Sequence, residues 1–314
     1  MYSVVIPVYR NAESLPELIE ALAGICVITR QRFDLPLEAV FVVDASPDSS
    51  YAILQDLLPK APFASKLILH ARNFGSFAAI RTGLRAGTGH YFGVIAADLQ
   101  EPSELLVDFL ADLVTGEYDI VVGTRKLRKD PLISRLFADL FWRSYRILVM
   151  PDIPKGGADL FGCIASVRNE LINLEEANSS LVGLIFWLGF RRKEVIYERR
   201  ARKYGKSAWT FRKKLNYLLD SIFAFTDLPI RLLAFMGFFG VAISIIFGLV
   251  VAGGRLLGYI EAPGYATIII TIIFFASLNM MGFGIVGAYA WRTYENTKRR
   301  PLAIIRDFKT FPGP

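Results

Sequence analysis

Tyr91-Phe-Gly-Val-Ile-Ala-Ala-Asp-Leu-Gln-Glu-Pro102 is the stretch whose reading decides the fold. From Tyr91 to Ala97 the run is almost wholly apolar, as in a strand buried on both faces, and it stops abruptly on a carboxylate and an amide. Strands of that kind belong to parallel sheets covered by helices, which bind ligands in the crevice at the carboxyl ends of their strands. Asp98 and Gln100 fall at that edge. Two oxygen-bearing side chains one residue apart can face a single hard cation, which usually keeps several waters and bridges to a diphosphate. The competing reading is that Asp98 only opens the turn into a helix at Pro102.

Working outward, the same alternation continues in both directions. Ser3 to Val8 reads as a first strand, since it lacks the basic leader and the longer apolar run of a signal peptide. Leu15 to Ile28 carries apolar residues at helical spacing, and Ala39 to Val43 is a second buried strand ending on the turn-rich Asp44-Ala-Ser-Pro-Asp-Ser-Ser50. A helix over Tyr51 to Leu58, a strand over Lys66 to His70 and a helix over Ser76 to Ala86 lead to Tyr91. Leu105 to Leu113 and Asp119 to Val122 follow as helix and strand. The expected fold class is therefore α/β, with a mainly parallel sheet and helices on both faces.

Two basic positions sit at the ligand edge. Arg72 and Gly75 precede a helix start, where backbone amides and the helix dipole favour an anion, although Gly75 and Gly83 serve turns and close packing equally well. Gly123-Thr-Arg-Lys-Leu-Arg-Lys129 sets four cations after a strand, a position suited to phosphate contact.

Composition adds a second part. Of the 314 residues 53% are hydrophobic and the net charge is +7, with a mean hydropathy of +0.39. That is too apolar for an ordinary soluble enzyme, and the excess lies after Asp227. The positive charge suits phosphates and anionic headgroups, and no nucleic-acid partner is expected. Cys26 and Cys163 have neither metal-site nor disulfide spacing, so core packing in a reducing compartment is the expectation.

Six ordered motifs carry a resemblance. Ile6-Pro-Val-Tyr9, Val43-Asp-Ala-Ser-Pro-Asp48, Arg72-Asn-Phe-Gly75, Ala97-Asp-Leu-Gln-Glu-Pro102, Val122-Gly-Thr-Arg125 and Arg200-Ala-Arg-Lys-Tyr-Gly-Lys-Ser207 resemble the polyprenyl-phosphate glycosyltransferases of the family-2, GT-A type over essentially the whole chain. That family includes dolichyl-phosphate mannose synthase and bacterial undecaprenyl-phosphate glucosyltransferases. The resemblance implies that Pro7, Tyr9 and Asp44 hold the nucleoside, joined at the donor by Arg72, Asp98, Arg200 and Arg202. It places a divalent Mg2+ or Mn2+ on Asp98 and Gln100, and Arg125, Arg128 and Arg135 on phosphates. Asp159, an acidic residue set among apolar neighbours, would face the donor sugar. Its structural alternative is a carboxylate bonded to loop amides near Gly156 and Gly157. Ala96 stands where the family commonly has a further Asp, Asn11 where Glu is frequent, Val43 and Ala45 where Asp and Gly are usual, and Ala208 where Lys is usual.

The remaining segments bear on the membrane. Phe137 to Val149 reads as an amphipathic helix. Residues 207–228 alternate aromatic and cationic side chains at helical spacing, which suits helices lying at a bilayer surface or packing on the soluble domain. Leu232 to Gly254 and Ala262 to Trp291 lack charges for about 23 and about 30 residues, enough to span a hydrocarbon core of roughly 30 Å. The expected organisation is a GT-A domain over 1–206, interface helices over 207–228, a transmembrane hairpin over 229–292 with spans near 232–254 and 265–291, and a tail over 293–314. Cations outside both ends of the hairpin place the catalytic domain and both termini in the cytoplasm, at the inner (plasma) membrane. Helix glycines such as Gly240 and Gly282 would allow close approach within the hairpin or between subunits of a homo-oligomer. The expected activity is transfer of one glucose from UDP-glucose to undecaprenyl phosphate, with inversion. A processive glycan synthase and a catalytically silent membrane scaffold are the alternatives.

Overall fold

The structure, a computed structural model, describes residues 1–125, 143, 145–147, 149–154, 158–176, 180–200, 203, 211–257 and 264–313. It divides into two compact units, Met1–Tyr217 with Arg300–Pro314, and Leu218–Arg299.

Among the described residues of the first unit, eight strands form one sheet. They are β1 (Tyr2–Val8), β2 (Leu37–Val43), β3 (Ala64–His70), β4 (Tyr91–Val94), β5 (Ile120–Arg125), β6 (Ala158–Ile164), β7 (Arg192–Tyr197) and β8 (Ile305–Phe311), in the order β7-β5-β6-β4-β1-β2-β3-β8. β3, β2, β1 and β4 run parallel, and β7 runs parallel to β5. β6 is antiparallel to both β4 and β5, and β8 is antiparallel to β3. The helices are α1 (Leu15–Phe33), α2 (Ser50–Leu57), α3 (Ser76–Ala86), α4 (Leu105–Val114), α5 (Ala165–Asn173) and α6 (Leu181–Trp187).

The strands are buried because alternate residues feed two different layers. Val4, Ile6 and Val8 of β1 and Phe41 of β2 pack with Leu15, Leu18 and Leu22 of α1 and Leu106 and Leu110 of α4. Val5 and Val42 point the other way, toward α3. A Cβ at Gly83 would stand 2.2 Å from a methyl of Val5, so a glycine is what lets α3 lie against the sheet. Truncating a fully buried side chain such as Phe41 would cost about 3–5 kcal/mol.

β4 is shorter than the apolar run that announces it. The strand ends at Val94, and one further bond, from Ile95 N–H to the Val5 carbonyl at 3.1 Å, carries the chain to the sheet edge. Ile95 and Ala97 remain buried there through core contacts. Cys163 is fully buried, and burial pushes its thiol up to about 12, while the thiol of Cys26 donates to the Pro62 carbonyl at 3.6 Å.

The expected tail over 293–314 contains regular structure. A helix runs on to Thr297, and Ile305–Phe311 joins the sheet as β8. β8 covers the otherwise open edge of β3.

The second unit contains the end of α7 (Phe211–Phe225), α8 (Leu228–Leu256) and α9 (Tyr265–Thr297). Leu228–Phe247 and Phe274–Thr297 are long and apolar enough to cross a membrane, by length and composition. Phe235, Phe238, Phe274 and Phe283 are exposed. Within the unit Arg292 pairs with Asp220 at 2.6 Å and the Tyr289 hydroxyl donates to the Thr226 carbonyl at 3.1 Å.

Candidate active site

Three loops at the carboxyl edge are tied to one another. After β1, the chain turns at Arg10 in the left-handed region, φ 57°; after β2 it does so at Ala45, φ 48°; after β4, at Leu99, φ 54°. Non-glycine residues there cost about 1–2 kcal/mol each, and their clustering on one edge of the sheet marks it as the strained one. Ala45 also explains why glycine is usual at its position.

The loop after β1 is stitched to the loop after β2. The Arg10 amide donates to Ser46 Oγ at 2.7 Å, the Ala12 amide to Asp48 Oδ2 at 3.0 Å and the Asn11 amide to Ser50 Oγ at 3.3 Å. Burial raises the Asp48 carboxyl, but hydrogen bonds from Ser46, Ser50 and the Ala12 amide outweigh it and hold the group below its ordinary value. Tyr9 is exposed at the rim with the Arg10 guanidinium 5.4 Å from its ring centroid, and Pro7 is half-buried in β1.

Asp44 is buried and occupied by the protein itself. Its carboxylate accepts from the Phe74 amide at 2.8 Å and the Gly75 amide at 2.7 Å, and His70 Nδ1 lies 2.8 Å away. The amides at the start of α3, which the sequence offers to a phosphate, thus hold an internal carboxylate. Gly75, at φ 95°, supplies the turn that presents them. Arg72 stays exposed, its guanidinium 4.5 Å from the Phe74 ring centroid.

At the end of β4, the Gln100 amide approaches Asp98 Oδ1 at 3.3 Å across left-handed Leu99, while the Gln100 side chain is buried. The Ser14 hydroxyl, at the start of α1, donates to the Ala97 carbonyl at 2.6 Å and holds this end of the strand. The segment after β7 passes the same loop: the Arg200 amide donates to the Gln100 carbonyl at 2.8 Å, and Arg199 pairs with buried Glu101 at 3.0 Å. The Arg200 guanidinium is 3.5 Å from the exposed Glu104 carboxylate, a surface pair worth little and easily exchanged for a ligand anion.

Arg125 ends β5 and is half-buried. Asp159 lies in β6 where the pairing with β5 slips. Leu160 is opposite Gly123 and Ala158 opposite Thr124, so Asp159 is the extra residue of a bulge. Counting two residues beyond the Val94–Phe161 pair reaches Ala96 on one strand and Asp159 on the other. Arg128, Arg135 and Arg202 lie outside the described residues, as does most of the expected helix at 137–149.

For a divalent cation, Asp98 and Gln100 offer one carboxylate and one amide, and no group of three His, Cys, Asp or Glu side chains gathers among the described residues. That set fits a hard cation that keeps waters and shares a substrate diphosphate, not an all-protein cage. A cavity of about 370 Å³ lined by Val122, Asp152, Phe186, Arg192 and Glu194 includes none of these residues. Sequence reasoning missed Ser46, Asp48 and His70 as organisers of the edge. Ser46-Pro-Asp-Ser49 carries a turn signature that points to the first two.

A mainly parallel sheet with its polar, strained loops gathered at the carboxyl edge defines an α/β transferase domain of the GT-A type. The chain belongs to glycosyl transferase family 2, whose model matches residues 3–174, and it is a glycosyltransferase. It is 31% identical over 307 residues to CsbB, a candidate glycosyltransferase of Bacillus subtilis (strain 168), covering 98% of this chain and 92% of that protein. It is 27% identical over 308 residues to the bactoprenol glucosyl transferase of Shigella phage SfV, covering 98% of each. Among solved structures, glucosyl-3-phosphoglycerate synthase from Mycobacterium tuberculosis with Mg2+ and uridine-diphosphate is similar at a TM-score of 0.46 and 16% identity, over 66% of this chain and 72% of that one.

Proposed function

We propose that this enzyme transfers a single glucose from UDP-glucose to a polyprenyl phosphate, undecaprenyl phosphate in particular, with inversion at the anomeric carbon. The observation that carries the reading is the extent of similarity to the bactoprenol glucosyl transferases, which runs through the catalytic domain and on through both long apolar helices. Those helices form a membrane hairpin in this reading. The cations that flank it, among them Arg231 before and Arg292, Lys298, Arg299 and Arg300 after, keep the catalytic domain at the cytoplasmic face, where the donor is made.

The donor nucleoside lies along Pro7, Tyr9 and the loop after β2, with its diphosphate toward Asp98, Arg72, Arg200 and Arg202. Asp98 and Gln100 would hold Mg2+ or Mn2+, which neutralises charge developing on the departing diphosphate. Arg125, Arg128 and Arg135 hold the acceptor phosphate. By analogy with other phosphate monoesters its second pKa is about 6, so the attacking oxygen is already anionic near neutral pH. No side chain has to remove a proton. The task left to the protein is to align that anion with the anomeric carbon and to stabilise charge, with Asp159 facing the donor sugar.

The test uses the full-length protein in detergent with undecaprenyl phosphate and a mixture of nucleotide sugars, and reads the lipid product by mass spectrometry. One hexose on the lipid phosphate is expected. Products with a ladder of added sugars would mean a processive synthase, and absence of both product and released UDP would mean a silent scaffold.

A further inference from the structure

We propose that Asp307, on the strand that rejoins the sheet after the two long apolar helices, is a positioning residue that fixes the nucleotide-binding loop through Tyr51. The proposal rests on the reading that the edge from Tyr9 to Asp48 takes the donor nucleotide.

The contacts form an unbroken series within the first unit. The Tyr51 phenol donates to the Asp307 carboxylate, and the Lys309 ammonium lies 3.9 Å from the same carboxylate and 6.0 Å from the Tyr51 ring centroid. Tyr51 is the second residue of α2 and packs, like Phe311 and Leu69, against the core. Just before it, Ser50 accepts from the Asn11 amide and donates its own amide to Asp48 Oδ1 at 3.2 Å. Asp48 in turn accepts from Ala12 and Ser46, and Ser46 from Arg10. The loop that carries Arg10, Asn11 and Ala12 is therefore hung on residues 46–50, and those are hung on the first turn of α2.

That turn is weakly held by itself. α2 has 8 residues, and its N-cap, Ser49, makes no side-chain capping bond. A helix this short depends on tertiary contacts, and the Tyr51–Asp307 bond ties its start to β8. The other end of the strand is fixed as well, since the Ala71 amide donates to the Ile304 carbonyl at 2.8 Å, next to Arg72. Burial and the neighbouring carboxylate push the Tyr51 hydroxyl up to about 12, so it remains a donor throughout the working pH range.

The experiment compares Tyr51→Phe, Asp307→Ala, their double variant and Asp307→Asn as full-length proteins in detergent. Donor KM, kcat at saturating donor, and the UDP dissociation constant by calorimetry are read. Tyr51→Phe and Asp307→Ala should each weaken UDP binding and raise donor KM by about threefold to tenfold, with kcat within twofold. The double variant should be no worse than either single one. Asp307→Asn, which keeps an acceptor oxygen, should restore most of the loss. Hydrogen exchange should quicken at residues 46–50 in Tyr51→Phe, which keeps the ring and its packing, while the β1 and β2 amides stay protected. Unchanged UDP affinity in Tyr51→Phe, or additive losses in the double variant, would overturn the proposal. Tyr9→Ala separates it from the reading beneath. If that variant also binds UDP as the wild type does, the donor edge has been misplaced; if it alone weakens binding, only the role of Asp307 fails.

Discussion

Each edge of the one sheet holds a carboxylate filled by its own protein, Asp44 at the carboxyl edge and Glu38 at the amino edge, and the two differ in the backbone around it. At the amino edge, the Glu38 carboxylate receives the Ser3 hydroxyl at 2.6 Å, the Thr88 amide at 2.8 Å, the Thr88 hydroxyl at 3.1 Å and the Lys66 ammonium at 2.7 Å. A carboxylate has about four acceptor positions, so Glu38 is filled by its own protein. At the carboxyl edge, chain turns sit at Arg10, Ala45 and Leu99 in a conformation disfavoured for their residue types, and Tyr9, Arg72 and Arg200 stand at the surface. Asp34, the left-handed residue on the other side, closes α1 as a helix cap, a place and a residue type that tolerate it. The lesson is that burial of a charge by itself does not mark a site. What separates the edges is the strained backbone that bonds hold in place at one of them.

The sharpest way to break this contrast is Asp98→Asn. Turnover, measured as UDP release with lipid phosphate present, should fall by a factor on the order of 10³ while the melting temperature stays near that of the wild type. Near-normal activity with either metal would mean that the chemistry sits elsewhere. The mirror-image change is Glu38→Ala. It leaves the Lys66 ammonium with the Ala86 carbonyl but without its carboxylate, and should cost about 3–5 kcal/mol in denaturant unfolding, with kcat per folded molecule unaltered.

The acid limb of stability sharpens the same point. Burial raises the Glu38 carboxyl, but bonds from Lys66, Ser3 and the Thr88 amide outweigh it and depress the group overall. A depressed carboxyl stabilises the fold above its unfolded value of about 4.3, and that contribution is lost as pH falls through the lower folded value. Glu38→Gln should therefore flatten the loss of stability below about pH 4; an unchanged acid limb would remove Glu38 from the account.

Asp159→Asn should reduce activity by about 100-fold, and by a factor that barely varies between pH 6 and 8, because an anionic acceptor needs no base. If a limb of the pH–rate profile vanishes in the variant, Asp159 carries a proton and the acceptor chemistry is different. The smallest effect belongs to Ala45→Gly. Relief of the left-handed strain, offset by the entropy of glycine, should raise stability by about 0.5–1 kcal/mol. A loss of stability there would argue against strain at that turn.

Much of the sheet was legible because both-face burial leaves uninterrupted apolar runs at β1, β2 and β4, and because polar turn residues end each run on the same side. The direction of β6 was not, since strand polarity depends on contacts far along the chain and leaves no local periodicity. The resemblance gives Asp44 to the nucleoside, but its partners His70, Phe74 and Gly75 come from another connection, and no local motif announces them. β8 was not legible, since Arg306, Asp307 and Lys309 break its apolar character and nothing local says that β3 needs a neighbour. Tyr51 and Asp307 are 256 positions apart, beyond any motif.

That returning strand also constrains any crossing of a bilayer. Residues up to Tyr217 and residues from Arg300 belong to one folded unit, with β8 locked into the sheet that β1 begins. A sheet cannot be divided between two sides of a bilayer. If the intervening chain crosses a bilayer, every crossing must be matched by a crossing back, and the number is then even. The parity follows from hydrogen bonds in the sheet and owes nothing to the distribution of lysine and arginine.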